Sequence, residues 1–378
     1  MKRRLVIACL CAAVVAGGAA TAVFAVGSTP STQTYTYTVP ATSTVATLSV
    51  PAHTFTQTVT VPTVTQTVTS GGGTTSAPTP PPPLPAPSGA RPYDASSPWN
   101  TPIGPSPTVS PNSAAWIASI SATGAFSSDP DQYTIPLYTV DSSTPLKTVQ
   151  FSGYYSTYDS GDNSRVGHGT APTVTGIPIP NGAVAGTGTD GQLDLWDPST
   201  GVEYGFWQFS GPDSSGVYHA TNGYRYHSGS GYYGRFADGG SGRGAGTPYF
   251  AGLVRPWEIA QGHIDHAIAF AFSSPSSSFV YPASKSDGSG TGPPEGARIQ
   301  LDPSLTDSDF TKWGLSPAAK VIAKALQTYG MYLIDNSGSP KIYLEDRRTA
   351  GWDTSITRTT VSNIPWSAFR VVQPPAAP

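Results

Sequence analysis

Between Arg4 and Arg91 the chain carries no Asp, Glu, Lys or Arg. A folded soluble domain of that length needs charge on its surface, so this run divides the sequence into three parts before any motif is read. Residues 1–26 come first: Lys2, Arg3 and Arg4 precede an uncharged, mostly apolar stretch from Leu5 to Val26. That is the layout of an export signal, a basic end held inside and an apolar core threaded into the membrane. Ala20-Thr21-Ala22 and Val23-Phe24-Ala25 both offer small residues at the −3 and −1 positions of a cleavage site. The stretch is also near the ~20 residues a bilayer needs, so retention as an anchor is the alternative. Either outcome leaves the rest outside, secreted or held at the cell surface.

Residues 27–90 are rich in Thr, Val, Pro and Ser, with the near-repeat "TQTVTVPTVTQTVTS" followed by "TPPPPLPAPSG". Thr-Val alternation has strand propensity, but regular prolines deny it a ladder and few large side chains are on hand for a core. The expectation is an extended, disordered stalk, open to O-glycosylation on its threonines. It would reach up to ~200 Å if polyproline-like, or ~45 Å as a flexible coil.

From Arg91 to Pro378 aromatics, glycines and charges appear together, as in a globular domain. Both cysteines, Cys9 and Cys11, lie in the export segment. Beyond it no disulfide, thiolate metal site or cysteine nucleophile is available, and stability must come from the size of the core. Three of the 20 Lys and Arg belong to the export segment; the remaining 17 face 23 Asp and Glu, a net of −6. With no basic run left, nucleic acid and anionic membrane surfaces are poor partners; any membrane contact would run through an uncleaved N-terminal segment. A monomer is expected.

Short alternating runs such as "QYTIPLYTV", "QLDLWDPSTGVEYGFWQFS", "IDHAIAFAF" and "MYLID" are separated by Gly/Ser/Asp/Pro clusters. This is the grammar of an all-β fold, a β-sandwich or jelly-roll-like domain. "DPSTG" at 197–201 marks a hairpin turn. A short helix is expected at "AAWIASI" and another at "RPWEIAQG". One long helix spans 317–329, with Ser316 as N-cap, Pro317 in the first turn, an apolar face of Val321, Ile322, Ala325, Leu326 and Tyr329, and Gly330 as its stop.

"GHIDHAIAFAF" (262–272) heads an apolar run with two histidines and an aspartate. Strand alternation places Ile264, His266, Ile268, Phe270 and Phe272 on one face, and His263, Asp265, Ala267, Ala269 and Ala271 on the other. Two histidines projecting to opposite sides do not share a metal ion easily. His266 is either a hydrogen-bonded core histidine or a base lining a cleft, and both readings stand at this point.

Taken together, "GTDGQLDLWDP", "GLVRPWEIAQGHIDHAIAFAF", "YPASKSDG", "PPEGARIQLDP" and "KALQTYGMYLIDNSG" resemble a group of secreted bacterial proteins. That group carries G-x-I-x-H-A-L, Y-V-W-P-A, P-x-G-A-R-x-x-L and Y-G-x-x-x-x-D-N-G blocks in this order. The match extends over residues 175–350. The resemblance implies an extracellular β-rich domain associated with polysaccharide processing, and points to Asp190, His266, Tyr281, Pro282, Arg298, Asp335 and Asn336. Two departures stand out: Lys285 occupies a position where that group often has histidine, and so does Gln192.

Sugar rings stack on aromatic faces, and Trp207, Tyr226 and Tyr233 are the candidates for that role, with Arg243, Lys285, Asp335 and Asn336 for hydroxyls and acidic groups. Hydrolysis of a glycosidic bond needs two carboxylates. Asp190, Asp194, Glu203, Glu258, Asp265, Glu295 and Asp335 are available, and Asp194 and Glu203 flank one hairpin and would face each other across it. Elimination needs a cation against a uronate and a base, which Arg243 or Arg298 with His266, Tyr281 and Lys285 would supply. The catalytic candidates are thus His266, Asp190, Tyr281 and Arg298. No G-x-S-x-G elbow exists, and "GGSGRG" (239–244) reads as a mobile loop over a site. No cofactor is expected; "TDGQLD" (189–194) would at most take a structural calcium ion, without an EF-hand's ligand series. The function expected is glycan binding and cleavage by a hydrolase or lyase, the alternative being a non-catalytic glycan-binding or wall-associated module. Limited proteolysis of unglycosylated protein should release a resistant fragment beginning near Arg91; protection throughout residues 30–85 would show the boundary to be elsewhere.

Overall fold

The computed structural model describes residues 33–38, 43–50, 53–60, 65–70, 91–156, 173–237, 240, 242–374 and 377. The export segment and much of the stretch before Arg91 lie outside them. Contacts within the chain divide it into two units, Met1–Pro81 and Pro82–Pro378.

In the first unit, β1 (Gln33–Thr38) pairs antiparallel with β4 (Thr65–Ser70), and β2 (Ser43–Val50) with β3 (His53–Thr60). The prolines expected to deny this stretch a ladder fall between the paired segments, at Pro40, Pro51 and Pro62. Thr-Val alternation sets the backbone where proline is absent.

The second unit is largely β, with a few short helices. Its elements are α1 (Ser113–Ser121), β5 (Leu137–Thr139), β6 (Leu146–Ser156), β7 (Thr173–Pro178), β8 (Leu193–Asp197), β9 (Val202–Trp207) and β10 (Tyr218–His227). Then come α2 (Pro256–Gln261), β11 (Ile268–Phe272), β12 (Ser276–Phe279), β13 (Pro294–Glu295), β14 (Arg298–Leu301), α3 (Asp307–Lys312), α4 (Pro317–Thr328), β15 (Met331–Asn336), β16 (Lys341–Ile342) and β17 (Phe369–Val372). One sheet has six strands in the order β5-β8-β9-β10-β6-β7, and a second has five in the order β16-β11-β15-β14-β17. Both are mixed: β5·β8, β6·β10 and β11·β15 run parallel, whereas the turn-rich sequence reads as hairpins. No helix among the described residues is long and apolar enough to cross a membrane.

Three apolar clusters order these sheets. Ile268, Phe270 and Phe272 of β11 meet Ile322 and Leu326 of α4 in one cluster. Ala267, Ala269 and Ala271, on the opposite side of the same segment, join Trp196, Tyr224 and Tyr332 in a second, which the two sheets share. The six-stranded sheet buries Val149, Phe151, Leu193, Leu195 and Phe206 in a third. The alternation read from the sequence is therefore real, large residues toward the helix and alanines toward the other sheet. The ladder, however, begins only at Ile268. Ahead of it the Ala267 N–H donates to Trp99 O at 2.7 Å instead of to a strand.

The long helix forms as its caps dictate. Ser316 Oγ accepts from Ala319 N at 3.2 Å, Pro317 opens the first turn, and Ala319, Ile322, Ala323, Ala325 and Leu326 are buried. Gly330 follows at φ +71°, and a Cβ there would lie 2.6 Å from Ile299 O. Glycine is thus required both by the backbone and by β14 beside it. Ser316→Ala should lower stability by about 1 kcal/mol, read as a lower denaturation midpoint with an unchanged slope; an unchanged midpoint would show the cap contributes nothing.

Candidate functional site

The Asp197-Gly201 turn closes the β8–β9 hairpin, with Gly201 N donating to Asp197 O at 2.8 Å and Gly201 at φ +68°. Its register sets Asp194 opposite Gly205 and Trp196 opposite Glu203. Asp194 and Glu203 are therefore diagonal neighbours on one face, and that face is the interior shared by the two sheets. Both are fully buried. Gly205 makes this possible, because a Cβ would fall inside the Tyr224 ring that crosses over it.

Glu203 Oε1 accepts from Tyr224 OH and, at 3.1 Å, from Phe250 N; Tyr93 OH reaches Oε2 at 3.4 Å. Burial pushes the Glu203 carboxyl up to about 7, against the hydrogen bonds from Tyr224, Phe250 N, Asp194 and Tyr93. Asp194 is raised well above the carboxylate range, first by burial and then by Glu203, with Arg243 opposing. As a carboxylate, Asp194 would leave both oxygens without a donor. Carrying a proton, it donates to Glu203, and one negative charge is shared by the pair.

A second group of acids lies at the end of β15. Asp335 keeps part of its surface open while its carboxyl sits within a shell of protein atoms. It accepts from Gly244 N and from Tyr343 OH, each at 3.3 Å. Burial raises it to about 7, Asp287 adds to this, Arg243 and the Gly244 N–H oppose it, and Asp190 adds a little more. Glu295, wholly buried, goes up to about 10 through burial and its hydrogen bond with Asp287. Asp287 lies close because residue 244 is glycine: a Cβ there would be 2.5 Å from Asp287 Oδ1.

Two cations accompany these acids. Arg243 is 1% exposed, donates from Nη2 to Tyr249 O at 2.9 Å, and places Cζ 3.9 Å from the Tyr343 ring centroid. Its Nε and Nη1 have no hydrogen-bond partner among the described residues. Lys341 Nζ stands 4.6 Å from the same ring centroid and donates to Tyr133 O. Burial brings Lys341 down to about 8, with Asp129, Asp335 and Asp190 acting the other way.

Of the residues singled out from the sequence, Asp190, Arg243 and Asp335 are thus brought together. His266 is not among them. Its Nδ1 donates to Ala267 O at 2.8 Å and its Nε2 lies 2.9 Å from Glu258 Oε1, so neither ring nitrogen is turned to solvent. Burial alone would raise Glu258, but Arg255 at 3.1 Å and His266 outweigh it and hold the carboxyl at about 2. With Arg91, Tyr93, Trp99 and Asn100, Arg255 and His266 border a cavity of about 10 Å³, room for roughly one water.

Arg298 is buried, with its donors on Tyr329 O at 2.9 Å and on Thr101 O and its guanidinium over the Tyr332 ring. Tyr226 is likewise buried, its hydroxyl bonded to the 234–235 backbone. Tyr281 lies under the Arg235 guanidinium, 5.4 Å from Cζ to ring centroid, and half-buried Tyr233 is near enough to influence it. Trp207 and Lys285 are half-buried and Asn336 is exposed. Residues 238, 239 and 241 of the Gly-rich loop lie outside the described residues. Among the described residues no group of three or more His, Cys, Asp or Glu side chains is arranged to hold a metal ion. Sequence reasoning missed Tyr93, Tyr249, Asp287, Lys341 and Tyr343, which carry no local motif and reach the site only through tertiary packing.

No protein-family model, curated protein or solved structure matches the chain.

The two acid networks respond to pH with opposite signs. Glu203 and Asp335 hold their protons to about 7 in the folded chain, above the unfolded carboxylate range, so the folded state binds more protons and stability falls as pH rises through 5–7. Glu258, held at about 2, contributes stability above pH 4.5 that is lost as pH falls toward 2. Thermal melting should therefore drop by on the order of 5 °C between pH 5 and pH 8, and Glu203→Gln should flatten that slope. An equally steep slope in the Gln variant would show that the pair does not titrate as described.

Proposed function

We propose that this is an exported carbohydrate-active protein that binds an extracellular polysaccharide and cleaves it at Asp335, as a glycoside hydrolase or polysaccharide lyase. The observation that carries this reading is Asp335 itself, a half-buried residue whose carboxyl is held near pH 7 close to Arg243 and the acidic side chains of Asp190 and Asp287. Groups whose environments push their proton affinities apart are what acid–base catalysis at neutral pH requires. In hydrolysis Asp335 gives its proton to the leaving oxygen, and Asp190 or Asp287 is the second carboxylate. Trp207, Tyr233 and Tyr281, all half-buried, are the places for sugar faces to stack. His266 and Arg298, tied to Glu258 and to backbone carbonyls, hold the framework. The two mixed sheets stack as a sandwich in this reading, with the export segment placing the domain outside the cell as a monomer. Neither nucleic acid nor a metal is needed.

A second reading, a non-catalytic glycan-binding or wall-associated module, is favoured by one observation. Neither the small cavity at His266 nor an open groove of about 640 Å³ along α1 and β17 includes Asp335. A broad glycan screen with product mass analysis separates the readings: a gain of water marks hydrolysis, an unsaturated sugar marks elimination. Asp335→Asn should reduce turnover by about 10²–10⁴-fold while glycan binding persists. Asp265→Asn, altering a residue engaged with His263 at 3.3 Å, should change neither. Binding without product would assign the binding module; no binding to any glycan would sink both readings.

A further inference from the structure

We infer that the buried Asp194–Glu203 pair is a positioning element that fixes the Arg243 guanidinium over the Tyr343 ring, whose hydroxyl bonds Asp335. The inference borrows from the functional reading only the view that Asp335 is the working acid; the linkage itself is a matter of geometry.

Arg243 lies between Gly242, at φ +117°, and Gly244. Backbone bonds anchor its main chain, with Arg243 N on Thr247 O and Ala245 N on Ile334 O, each at 2.9 Å. They leave the long side chain free to rotate. What holds the guanidinium is one hydrogen bond, Nη2 to Tyr249 O, together with the Tyr343 ring beneath it. Tyr249 O is therefore the fixed point, and its placement depends on the 249–250 turn.

Besides its own backbone bonds, Ala251 N to Pro248 O and Leu253 N to Phe250 O, that turn is tied to one carboxyl group. Phe250 N donates directly to Glu203 Oε1, and Tyr249 N donates at 2.6 Å to the Tyr224 hydroxyl, which donates to the same Oε1. Two consecutive backbone N–H groups thus end on a single oxygen, one directly and one through a phenol. Asp194 donates to Glu203, and Tyr93 OH approaches the other oxygen. Such a network orients its members because each hydrogen bond fixes the two groups that share it. The chain of contacts runs from Asp194 through Glu203, Tyr224 and Tyr249 to Arg243, and on to Asp335 through the Tyr343 ring under the guanidinium, whose hydroxyl donates to Asp335, and through the neighbouring Gly244 N–H.

The groups facing Asp335 are Arg243 and Gly244 N from the Gly-rich loop, Tyr249, Asp190 before β8, Asp287 after β12, Glu295 on β13, the Asn336 N–H, Lys341 on β16, and Tyr343. Arg243 favours the ionised form of Asp335. Loosening the guanidinium therefore makes Asp335 hold its proton more tightly. Deleting the charge of Glu203 through space would do the reverse, so the two effects have opposite signs.

The test is a pH titration of the Asp335 carboxyl by ¹³C NMR of the full chain labelled at aspartate, the signal assigned with Asp335→Asn. Glu203→Ala, which releases the turn, should raise the Asp335 midpoint by about one unit. Tyr224→Phe keeps the ring over Gly205 and removes only the hydroxyl link; it should shift the midpoint in the same direction. Glu203→Gln retains an acceptor oxygen and should leave the midpoint within about 0.3 unit of the parent. A midpoint that stays put or falls in folded Tyr224→Phe overturns the inference, as does an equal shift in Glu203→Gln and Glu203→Ala. If Glu203→Ala does not fold, Tyr224→Phe decides. No glycan enters this experiment, so a failed glycan screen and a failed titration are separate results.

Discussion

A carboxylate taken out of water must be solvated by the protein or give up its charge, and the interior shared by the two sheets meets that demand at Glu203. Three donors from three parts of the chain, Tyr93, Tyr224 and Phe250 N, converge on its two oxygens, while Asp194 beside it keeps a proton. Gly205 is the small residue that admits Tyr224. Much of the centre depends on this arrangement, because the 91–100 segment, the β8–β9–β10 hairpins and the 249–250 turn all meet there. An apolar core would have packed the same strands with fewer demands. The polar one joins segments that have no other reason to sit in a fixed relation.

Glu258 shows the other solution to the same problem. It is as buried as Glu203, yet Arg255 lies at 3.1 Å and His266 at 2.9 Å, and the pairing outweighs desolvation. The α2 turn that presents it also satisfies itself, since the Arg255 N–H donates to Glu258 Oε2 at 2.8 Å. Two buried glutamates in one domain thus differ in how tightly they hold a proton because of what faces them, not how deep they lie.

Local chemistry was legible wherever the chain talks to itself over a few residues. Ser316, Pro317 and Gly330 bracket α4; Gly262, at φ +87°, closes α2; the Asp197 turn joins β8 to β9. The alternation along Ile268–Phe272 places large residues and alanines in separate clusters as read. Asp194 and Glu203 were legible as neighbours, since a hairpin turn fixes register, but not as a buried pair. Their fate depends on Tyr93, 110 residues before Glu203, and on Phe250, 47 after it. His266 illustrates the same limit: periodicity gave its face, while Glu258, eight residues earlier on a helix, decides what its ring does. The parallel pairings of β6 with β10 and β11 with β15 leave no turn signature, because the residues that join such strands are too many to act as a code.

The stitching of residues 93–113 into the fold has a consequence for the order in which the domain can be made. Trp99 packs on Tyr332, Ile103 N donates to Thr328 O, and Ser110 N donates to Val371 O. Gln373 N returns the bond to Thr108 O, and Ser113 Oγ accepts from Val371 N at 2.8 Å. Several of the first residues of the domain to be synthesised therefore find partners among the last. A nascent chain stalled short of β17 lacks the strand that closes the sheet beside β14, and α1 lacks the strand that bonds to its first residue. Closure of the five-stranded sheet therefore waits for β17, as expected of a fold built on contacts between segments far apart in the chain.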